Sequence, residues 1–441
     1  MSLAEYIKKN KYRLDLVYGE LENIQFLFLK NGINLDLWQK SFLPNLNKPD
    51  LETLAPGLIT EIKIKTYDNY DRLLGQGNLL LLKDDNEYSI FLSQIAKRSP
   101  EDSLVDPSNL LGSRDCFNEL LADNRNLIRK RIKSNELIFL EYTIGNLTKT
   151  ELNLVYIDKL VDYSILNDLK KIIKDNIDQN ITSIVDVNKI ITPKPKLVPS
   201  LEITANPETV SNALLNGRIV VLVDNNPNCL IIPTTLFELT ENINETNSPI
   251  YTTIFNRLFV LLFLFISLFS LGLFIVLSCH HPEALTTVFI ANLQLTERGT
   301  IFPLFLEIII VLILFEFYRQ LTSRSPLSFV QNIIIIFGGI FIGQNAIESS
   351  LIGSIGILIA SLSFVSSFAV TNNPYLITSF SLFRLFILIM SYILGIIGFI
   401  LSSIIVIDYL VNIEIFKSPY LSPFIPFNKQ KIYAWFKPSK E

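Results

Sequence analysis

The sequence predicts an α+β soluble N-terminal region, built from two subdomains with related helix–hairpin units, followed by a polytopic α-helical membrane domain. Two observations carry this prediction. Hydropathy rises sharply near Leu258, and no lysine occurs between Lys196 and Lys417. In the N-terminal half, two segments resemble each other at a constant offset, which indicates an internal duplication.

The composition supports a membrane protein. The chain is 49% hydrophobic and only 18% charged, and the apolar excess lies in the second half. A stretch without lysine suits contact with hydrocarbon, because an ammonium group is strongly hydrated. The net charge of −4 argues against nucleic acid as a partner. Cys116, Cys229 and Cys279 are few and scattered, which does not fit a disulfide framework.

The two repeated segments read as helix–hairpin units. GNLLLLKD at 77–84 aligns with GRIVVLVD at 217–224, and SIFL at 89–92 aligns with CLII at 229–232. In each, a glycine ends a helix, and two apolar runs flank a turn rich in Asp and Asn. Two unrelated hairpins with similar turns are the alternative interpretation.

The second copy and the region before it carry helix signals. Asn206 followed by Pro207 and Glu208 predicts an N-cap and a first helical turn. An earlier helix with Leu166, Leu169 and Ile173 on one face is expected to be capped by Ser164.

Domain boundaries follow from these patterns. The run ITPKPKLVP (191–199) is too rich in proline for a helix or strand and predicts an extended linker between two subdomains. The expected regions are 1–100, an α/β subdomain with the first hairpin; 101–190, an α/β central region; 191–250, the linker and second hairpin; 251–410, four to five transmembrane helices; and 411–441, a basic cytosolic tail.

Five apolar segments follow the break in hydropathy. They are Leu258–Cys279, Ile301–Tyr318, Ile333–Ile347, Leu351–Val370 and Leu382–Val406. About 20 apolar residues cross a bilayer core, so the first segment is the safest prediction of a membrane-spanning helix.

The orientation follows from the positive charges. Arg319 and Arg324 follow the second segment, and lysines enrich the tail, so both are expected on the cytosolic side. The first residues, MSLAEYIKKNKYRLD, lack an apolar signal core, so a cytosolic N-terminal domain is expected as well. Five crossings contradict two cytosolic ends. Either one segment fails to cross, with the Gly-rich 333–347 as the best candidate, or a crossing has been missed.

Polar residues at membrane depth are the functional candidates, because burying a charge there is costly. Glu307 is the deeper of the two glutamates in the second segment and is expected to pair with a residue such as Arg384 or to line a hydrated path. Glu316 is expected to pair with Arg319 or Gln320. Gln344, Asn345 and Glu348 line a polar pathway or cap a short helix; the sequence leaves both interpretations open.

Enzymatic motifs are missing from the sequence. It contains no P-loop, dinucleotide fingerprint or nucleophile elbow. His280 and His281 are adjacent, and no third ligand with suitable spacing follows, so we interpret them as an interfacial turn rather than a metal site. No catalytic residue, cofactor or metal is expected, and the chain is not expected to be an enzyme.

The segment GSRDCFNELLADNRNLIRKRIK (112–133) resembles the signature of the A subunit of bacterial spore germination receptors, the GerA-type spore germination protein family. The residues that match are Gly112, Arg114, Phe117, Glu119, Asn124, Leu127, Ile128, Arg129 and Arg131. Ser113 and Asp115 depart from the usual Pro and Glu.

The resemblance continues in order over roughly residues 60–427. The matching residues before and after the first apolar segment are Gly217, Arg218, Asp224, His281, Pro282 and Glu283. Those in the later segments are Pro303, Glu307, Glu316, Arg319, Gly343, Gln344, Glu348, Asn372, Asn373, Pro374 and Arg384, with SPYLSPFIP (418–426) in the tail.

This resemblance implies the A subunit of a nutrient (germinant) receptor in the spore inner membrane, working with a permease-like B subunit and a lipoprotein C subunit. The A subunit is expected to form homo-oligomers that build or gate an ion-conducting pathway. Its pore or coupling candidates are Glu307, Gln344, Asn345, Glu348, Arg384, Glu316 and Arg319. The alternatives are a paralogous A-type accessory protein of the dipicolinate-release machinery and a non-conducting membrane scaffold.

Overall fold

A computed structural model describes residues 3–10, 16–21, 24–29, 33–45, 59–61, 70, 73–74, 77–83, 86–92, 115–193, 196–241, 248–297, 300–324, 348 and 353–436. The chain forms two compact units. The first comprises Met1–Pro195, Ser200–Thr234 and Asn242–Asn247, and the second comprises Lys196–Pro199, Thr235–Glu241 and Ser248–Glu441.

The first unit contains two five-stranded antiparallel sheets with the same strand order. One sheet runs β1-β2-β4-β5-β3, with β1 Leu16–Leu21, β2 Ile24–Leu29, β3 Ile59–Glu61, β4 Asn78–Lys83 and β5 Asn86–Phe91. The other runs β6-β7-β9-β10-β8, with β6 Leu137–Ile144, β7 Thr150–Ile157, β8 Glu202–Thr204, β9 Ile219–Val223 and β10 Cys229–Ile232.

The duplicated hairpins share backbone geometry as well as sequence. Gly77 and Gly217 both have positive φ, at 85° and 78°. The N–H of Gly77 donates to the carbonyl of Leu74, and that of Gly217 donates to Leu214, both at 3.0 Å. Glycine tolerates this left-handed conformation at a helix end. The common strand order and common turn favour duplication over two unrelated hairpins.

Helices of the first unit are α1 (Leu3–Asn10), α2 (Leu121–Arg131), α3 (Tyr163–Asp175), α4 (Ile184–Ile191) and α5 (Pro207–Leu215), with short helical turns at Leu35–Leu37, Trp38–Phe42 and Leu43–Asn45. Every residue of β9 and β10 is buried, so both faces of the second sheet are covered. Helices α2 and α5 share a buried apolar cluster with one face.

Two predictions about this unit were wrong in detail. Helix α3 is capped by Asp162, whose carboxylate accepts from the N–H of Ser164 at 2.8 Å, so Ser164 is not the cap. The segment 191–199 lies between α4 and β8, and β6, β7 and β8–β10 belong to one sheet, so it does not separate two subdomains. The cap of α5 by Asn206 is confirmed at 2.7 Å.

The second unit is mainly helical. Its helices are α6 (Ile250–Ile275), continued by a π-helical turn Val276–His280 and a 3₁₀ turn Pro282–Ala284, then α7 (Thr287–Glu297), α8 (Leu304–Arg324), α9 (Ser354–Val370), α10 (Pro374–Val411) and α11 (Lys429–Phe436). A 3₁₀ turn Glu238–Thr240 and the short strands β11 (Glu414–Ile415) and β12 (Ser418–Pro419) complete it.

Helix α10 is interrupted at Gly395, where φ is 61° and ψ is −138°. The chain reverses there, because the rings of Phe383 and Tyr409 lie 5.9 Å apart, whereas 26 helical residues would span about 39 Å. A Cβ at Gly398 would lie 2.0 Å from the carbonyl of Met390, so the two arms meet immediately after the turn. The segment predicted as one span, 382–406, is therefore a helical hairpin.

Two helices are long and apolar enough to cross a membrane, judged by length and composition: Ile250–His280 and Pro374–Val411. Ser354–Val370 is apolar but shorter. Helix α8 includes Glu307, Glu316 and Arg319, and it covers most of the predicted second segment. The predicted segment 333–347 lies outside the described residues.

Two short segments from the N-terminal half belong to the helical unit. In Lys196–Pro199, the N–H of Leu197 donates to the Tyr409 hydroxyl at 2.9 Å, and Lys196 Nζ donates to the carbonyl of Glu414 at 2.8 Å. In Thr235–Glu241, the carbonyl of Leu239 accepts from Thr371 Oγ1 at 2.7 Å. These bonds attach both segments to the ends of α9 and α10 where the hairpin begins and ends.

Candidate functional site

Glu307 lies in the first turn of α8 and is fully buried. Its Oε2 accepts from the N–H of Gly353, the N-cap of α9, at 2.8 Å. A carboxylate is stabilised at a helix N-terminus, because the terminal N–H groups lack partners within the helix. Glu307 therefore joins the starts of two helices.

The second carboxyl oxygen of Glu307 is the unusual feature. Oε1 is buried and has no hydrogen-bond partner among the described residues. Such an atom costs about 1–3 kcal/mol when it stays unpaired. Gly356, one turn into α9, leaves room beside the carboxyl group, since a Cβ there would lie 3.8 Å from Oε2. The geometry provides one carboxyl oxygen able to take a proton, a water molecule or a cation.

Arg384 is the second buried charge, with only 1% of its surface exposed. Its Nη2 donates to Ser367 Oγ at 2.6 Å, while its Nε has no partner among the described residues. Ser367 and Ser267 hydroxyls lie 3.0 Å apart, and Ser363 donates to the Ser267 carbonyl at 3.0 Å. A chain of hydroxyl groups thus connects α6, α9 and α10 around one guanidinium group.

The expected contact between Glu307 and Arg384 does not form. Glu307 is held by Gly353 at the start of α9, and Arg384 is held by Ser367 near the end of the same helix. In the described part of the chain, no carboxylate lies within ion-pair distance of Arg384. The two buried charges therefore occupy separate places in the helical unit.

The other membrane candidates divide into one structural pair and three that the geometry does not bring together. Arg319 contacts Glu316 through Nη2–Oε1 at 2.5 Å and Nε–Oε2 at 3.1 Å, which confirms the predicted pair. Glu348 is exposed, and Gln344 and Asn345 lie outside the described residues.

The adjacent histidines have separate partners. His280 Nε2 donates to the carbonyl of Tyr392 at 2.9 Å, and His281 Nδ1 lies 3.0 Å from Glu283 Oε1. The hydrogen bond with His281 lowers the pKa of the Glu283 carboxyl group. Each histidine thus stabilises the turn in its own way.

The signature residues of the first unit organise α2. The Asn124 amide accepts from the N–H of Asn118 at 2.9 Å and donates to its carbonyl at 2.7 Å. Arg129 donates to the carbonyls of Ser134 and Leu137, and its guanidinium lies 5.2 Å from the Phe139 ring centre. These contacts hold the entrance and exit of the helix.

The remaining signature residues also make framework contacts. Arg131 Nη2 lies 3.0 Å from Asp115 Oδ2. The N–H of Asp224 donates to the Glu151 carbonyl at 2.9 Å, and the Glu119 carbonyl accepts from the N–H of Asn225 at 3.0 Å. Gly112 and Arg114 lie outside the described residues. These contacts account for the signature through folding, and a functional role for its residues stays a prediction.

Sequence reasoning missed the serine chain and the contact between His280 and Tyr392. Ser267, Ser363 and Ser367 interrupt apolar runs, and three serines in such runs are the available signal. No local pattern connects His280 with a carbonyl 112 positions away.

The chain was then compared with known proteins. A sequence model described as Bacillus/Clostridium GerA spore germination protein matches residues 8–438. Spore germination protein XA of Bacillus anthracis is 32% identical over 83% of this chain and 75% of its own length. An uncharacterized membrane protein of Bacillus subtilis, YfkQ, is 29% identical over 81% of this chain and 70% of its own length. The crystal structure of the N-terminal domain of the A subunit of the Bacillus megaterium spore germinant receptor GerK3 covers 52% of this chain and 92% of its own, with 20% identity and a TM-score of 0.38.

Proposed function

The chain belongs to the Bacillus/Clostridium GerA family of spore germination proteins, and from this we propose that it is the A subunit of a germinant receptor in the spore inner membrane. It oligomerises to form or gate an ion-conducting pathway, and it works with a permease-like B subunit and a lipoprotein C subunit. Its role is signalling rather than enzymatic.

The observation that carries this proposal is Glu307. A fully buried carboxyl group with one unpaired oxygen, in a helical unit that otherwise buries apolar residues, is costly and calls for a function. An oxygen that exchanges a proton or a cation would meet this requirement in a pathway for ions. Arg384 and its serines form a separate polar layer, which fits helix association.

The hairpin at Gly395 supports an even number of crossings. Its tip packs on His280, at the end of the first long helix, whereas both of its ends lie near the segments Lys196–Pro199 and Thr235–Glu241. With α6, α8, α9, the two arms and the predicted segment 333–347, the chain crosses six times. Both ends of the helical unit then face the cytosol, and the missed crossing explains the odd count of apolar segments.

Ion flux from the reconstituted complex tests the proposal. The full chain is inserted into liposomes with its B and C subunits, and germinant-dependent release of a potassium-sensitive dye is measured. We expect Glu307→Gln to lower the flux at least tenfold without loss of assembly. Glu283→Gln removes a carboxylate from an exposed turn and is the matched control.

Two outcomes separate the alternatives. Normal flux from Glu307→Gln would remove this residue from the pathway. An assembled wild-type complex that passes no ions under any germinant would contradict conduction and favour a non-conducting scaffold. Flux without the B and C subunits, triggered by dipicolinate release instead of germinant, would favour the accessory paralogue.

A further inference from the structure

An open groove of about 520 Å³ lies between the first turn of α6 and helix α11. It is lined by Pro249, Ile250, Tyr251, Ile254, Tyr433 and Phe436. The lining consists of aliphatic and aromatic side chains, and Tyr251 and Tyr433 are exposed. A groove with this lining favours a ligand that has an apolar body.

The wall formed by α11 is held firmly. Trp435 is buried, and the guanidinium of Arg257 lies 5.0 Å from its ring centre. Arg257 also contacts Glu241, with Nη2 and Oε1 3.5 Å apart. The rings of Phe237 and Phe424 pack against Trp435 from other directions. The groove is therefore preformed, which lowers the entropy cost of binding.

The groove lies where bilayer headgroups are expected. Exposed apolar residues of α6, including Leu258 and Leu262, begin one to two turns after the groove-lining Ile250 and Tyr251. Tyrosine and tryptophan are enriched at this depth, because their rings have apolar and polar parts. Tyr251, Tyr433 and Trp435 fit such an interfacial belt.

Positive charge lies next to the apolar groove. Lys429 is four residues before Tyr433 and seven before Phe436, so all three share one face of α11. Lys429 and Lys431 are exposed, whereas Arg257 is neutralised by Glu241. A basic residue near the membrane surface contributes about 1 kcal/mol of attraction to anionic lipid. The groove with its lysines thus complements an anionic headgroup joined to an apolar chain.

We infer that this groove binds one molecule of anionic phospholipid from the cytosolic leaflet, with the phosphate at Lys429 and an acyl chain along Ile250, Ile254 and Phe436. The inference rests on the proposed insertion of α6 in the membrane. Bound lipid would fix α11 against the start of α6 and make the subunit sensitive to the lipid composition around it.

Native mass spectrometry of the full chain in detergent tests this site. The protein is mixed with equal amounts of phosphatidylglycerol and phosphatidylcholine, and the lipid retained after gentle activation is counted. We expect one phosphatidylglycerol on the wild type. The Lys429→Gln/Lys431→Gln variant and Ile254→Trp, which fills the groove, should each retain it at least tenfold less. Lys174→Gln removes an exposed lysine from α3 and is the control.

Three outcomes would overturn the inference. They are equal retention of both lipids by the wild type, unchanged retention by both variants, and retention that occurs only after removal of residues 437–441, which would place the chain's own end in the groove. A disulfide between copies of a Tyr433→Cys variant in liposomes, formed at the expense of lipid retention, would assign the groove to a second copy. Failure to partition with membranes at all would instead refute the proposed insertion.

Discussion

His280 donates a hydrogen bond from Nε2 to the main-chain carbonyl of Tyr392 at 2.9 Å, across the reversal of α10. In an uninterrupted helix this carbonyl would accept from the N–H of residue 396, which lies beyond the turn at Gly395. The histidine therefore satisfies a backbone group that the hairpin leaves open. Lipid offers no hydrogen bond in its place, so the contact bears on whether the hairpin exists in a membrane.

Replacing His280 should loosen the hairpin. His280→Ala leaves the Tyr392 carbonyl unpaired, and we expect a loss of about 1–3 kcal/mol in the free energy of unfolding. His280→Gln retains an N–H donor and should recover part of the loss. Thermal unfolding of the purified full chain in detergent measures both. Identical midpoints for His280→Ala and the wild type would mean that the bond does not hold the turn.

Gly395→Ala tests the reversal itself. Gly395 has φ of 61° and ψ of −138°, a conformation that side chains rarely adopt, and a Cβ would lie 3.3 Å from His280 Cγ. We expect a loss of about 1–3 kcal/mol from backbone strain, seen as a lower yield of monodisperse protein and a lower unfolding temperature. Gly356→Ala meets only ordinary contacts of 3.7 Å or more and is the matched control. Equal behaviour of the two variants would argue for a continuous helix.

Cysteine labelling tests the orientation of α6. Cys279 is exposed at the end of the first long helix, whereas Cys116 and Cys229 are buried. Burial also raises the pKa of the Cys229 thiol, which suppresses the reactive thiolate. We expect an impermeant maleimide to add one label per chain from the non-cytosolic side, and none to Cys279→Ser. Labelling of Cys279 only from the cytosolic side would contradict six crossings.

The turn of the second hairpin unit makes a further prediction. Gly217 has φ of 78°, and a Cβ there would lie 2.5 Å from the carbonyl oxygen of Leu160. Gly217→Ala should therefore destabilise the first unit by about 1–3 kcal/mol. The control is Leu215→Ala, an exposed position two residues earlier. Hydrogen exchange of β9 peptides reports the change, and equal protection in both variants would show that Leu160 moves away at little cost.

Local signals were predictable from the sequence, and long-range ones were not. Asn206, Pro207 and Gly217 define a helix and its turn within a few residues, because caps and positive φ depend on local backbone chemistry. The reversal at Gly395 lies within an apolar run whose hydropathy does not change, and glycine is common in membrane helices. Contacts such as Arg384 with Ser367 join different helices, so only the packed unit defines them.

Asn153 on β7 is fully buried, and neither its Oδ1 nor its Nδ2 has a hydrogen-bond partner among the described residues. It lies on the face of the second sheet that Val155 and Ile157 share with the apolar cluster, between Glu141 of β6 and Leu222 of β9. Two unpaired amide atoms in such a place each cost about 1–3 kcal/mol.

Replacing Asn153 with valine should therefore raise the free energy of unfolding of the first unit by about 1–3 kcal/mol, because an apolar side chain removes the desolvation penalty. Hydrogen–deuterium exchange of β7 peptides in the full chain measures the gain. Thr143→Val on exposed β6 controls for strand propensity and should change stability by less than about 0.5 kcal/mol. If Asn153→Val instead lowers protection, the amide binds a water molecule or a small ligand inside the sheet, and the first unit has a binding role that its framework contacts do not reveal.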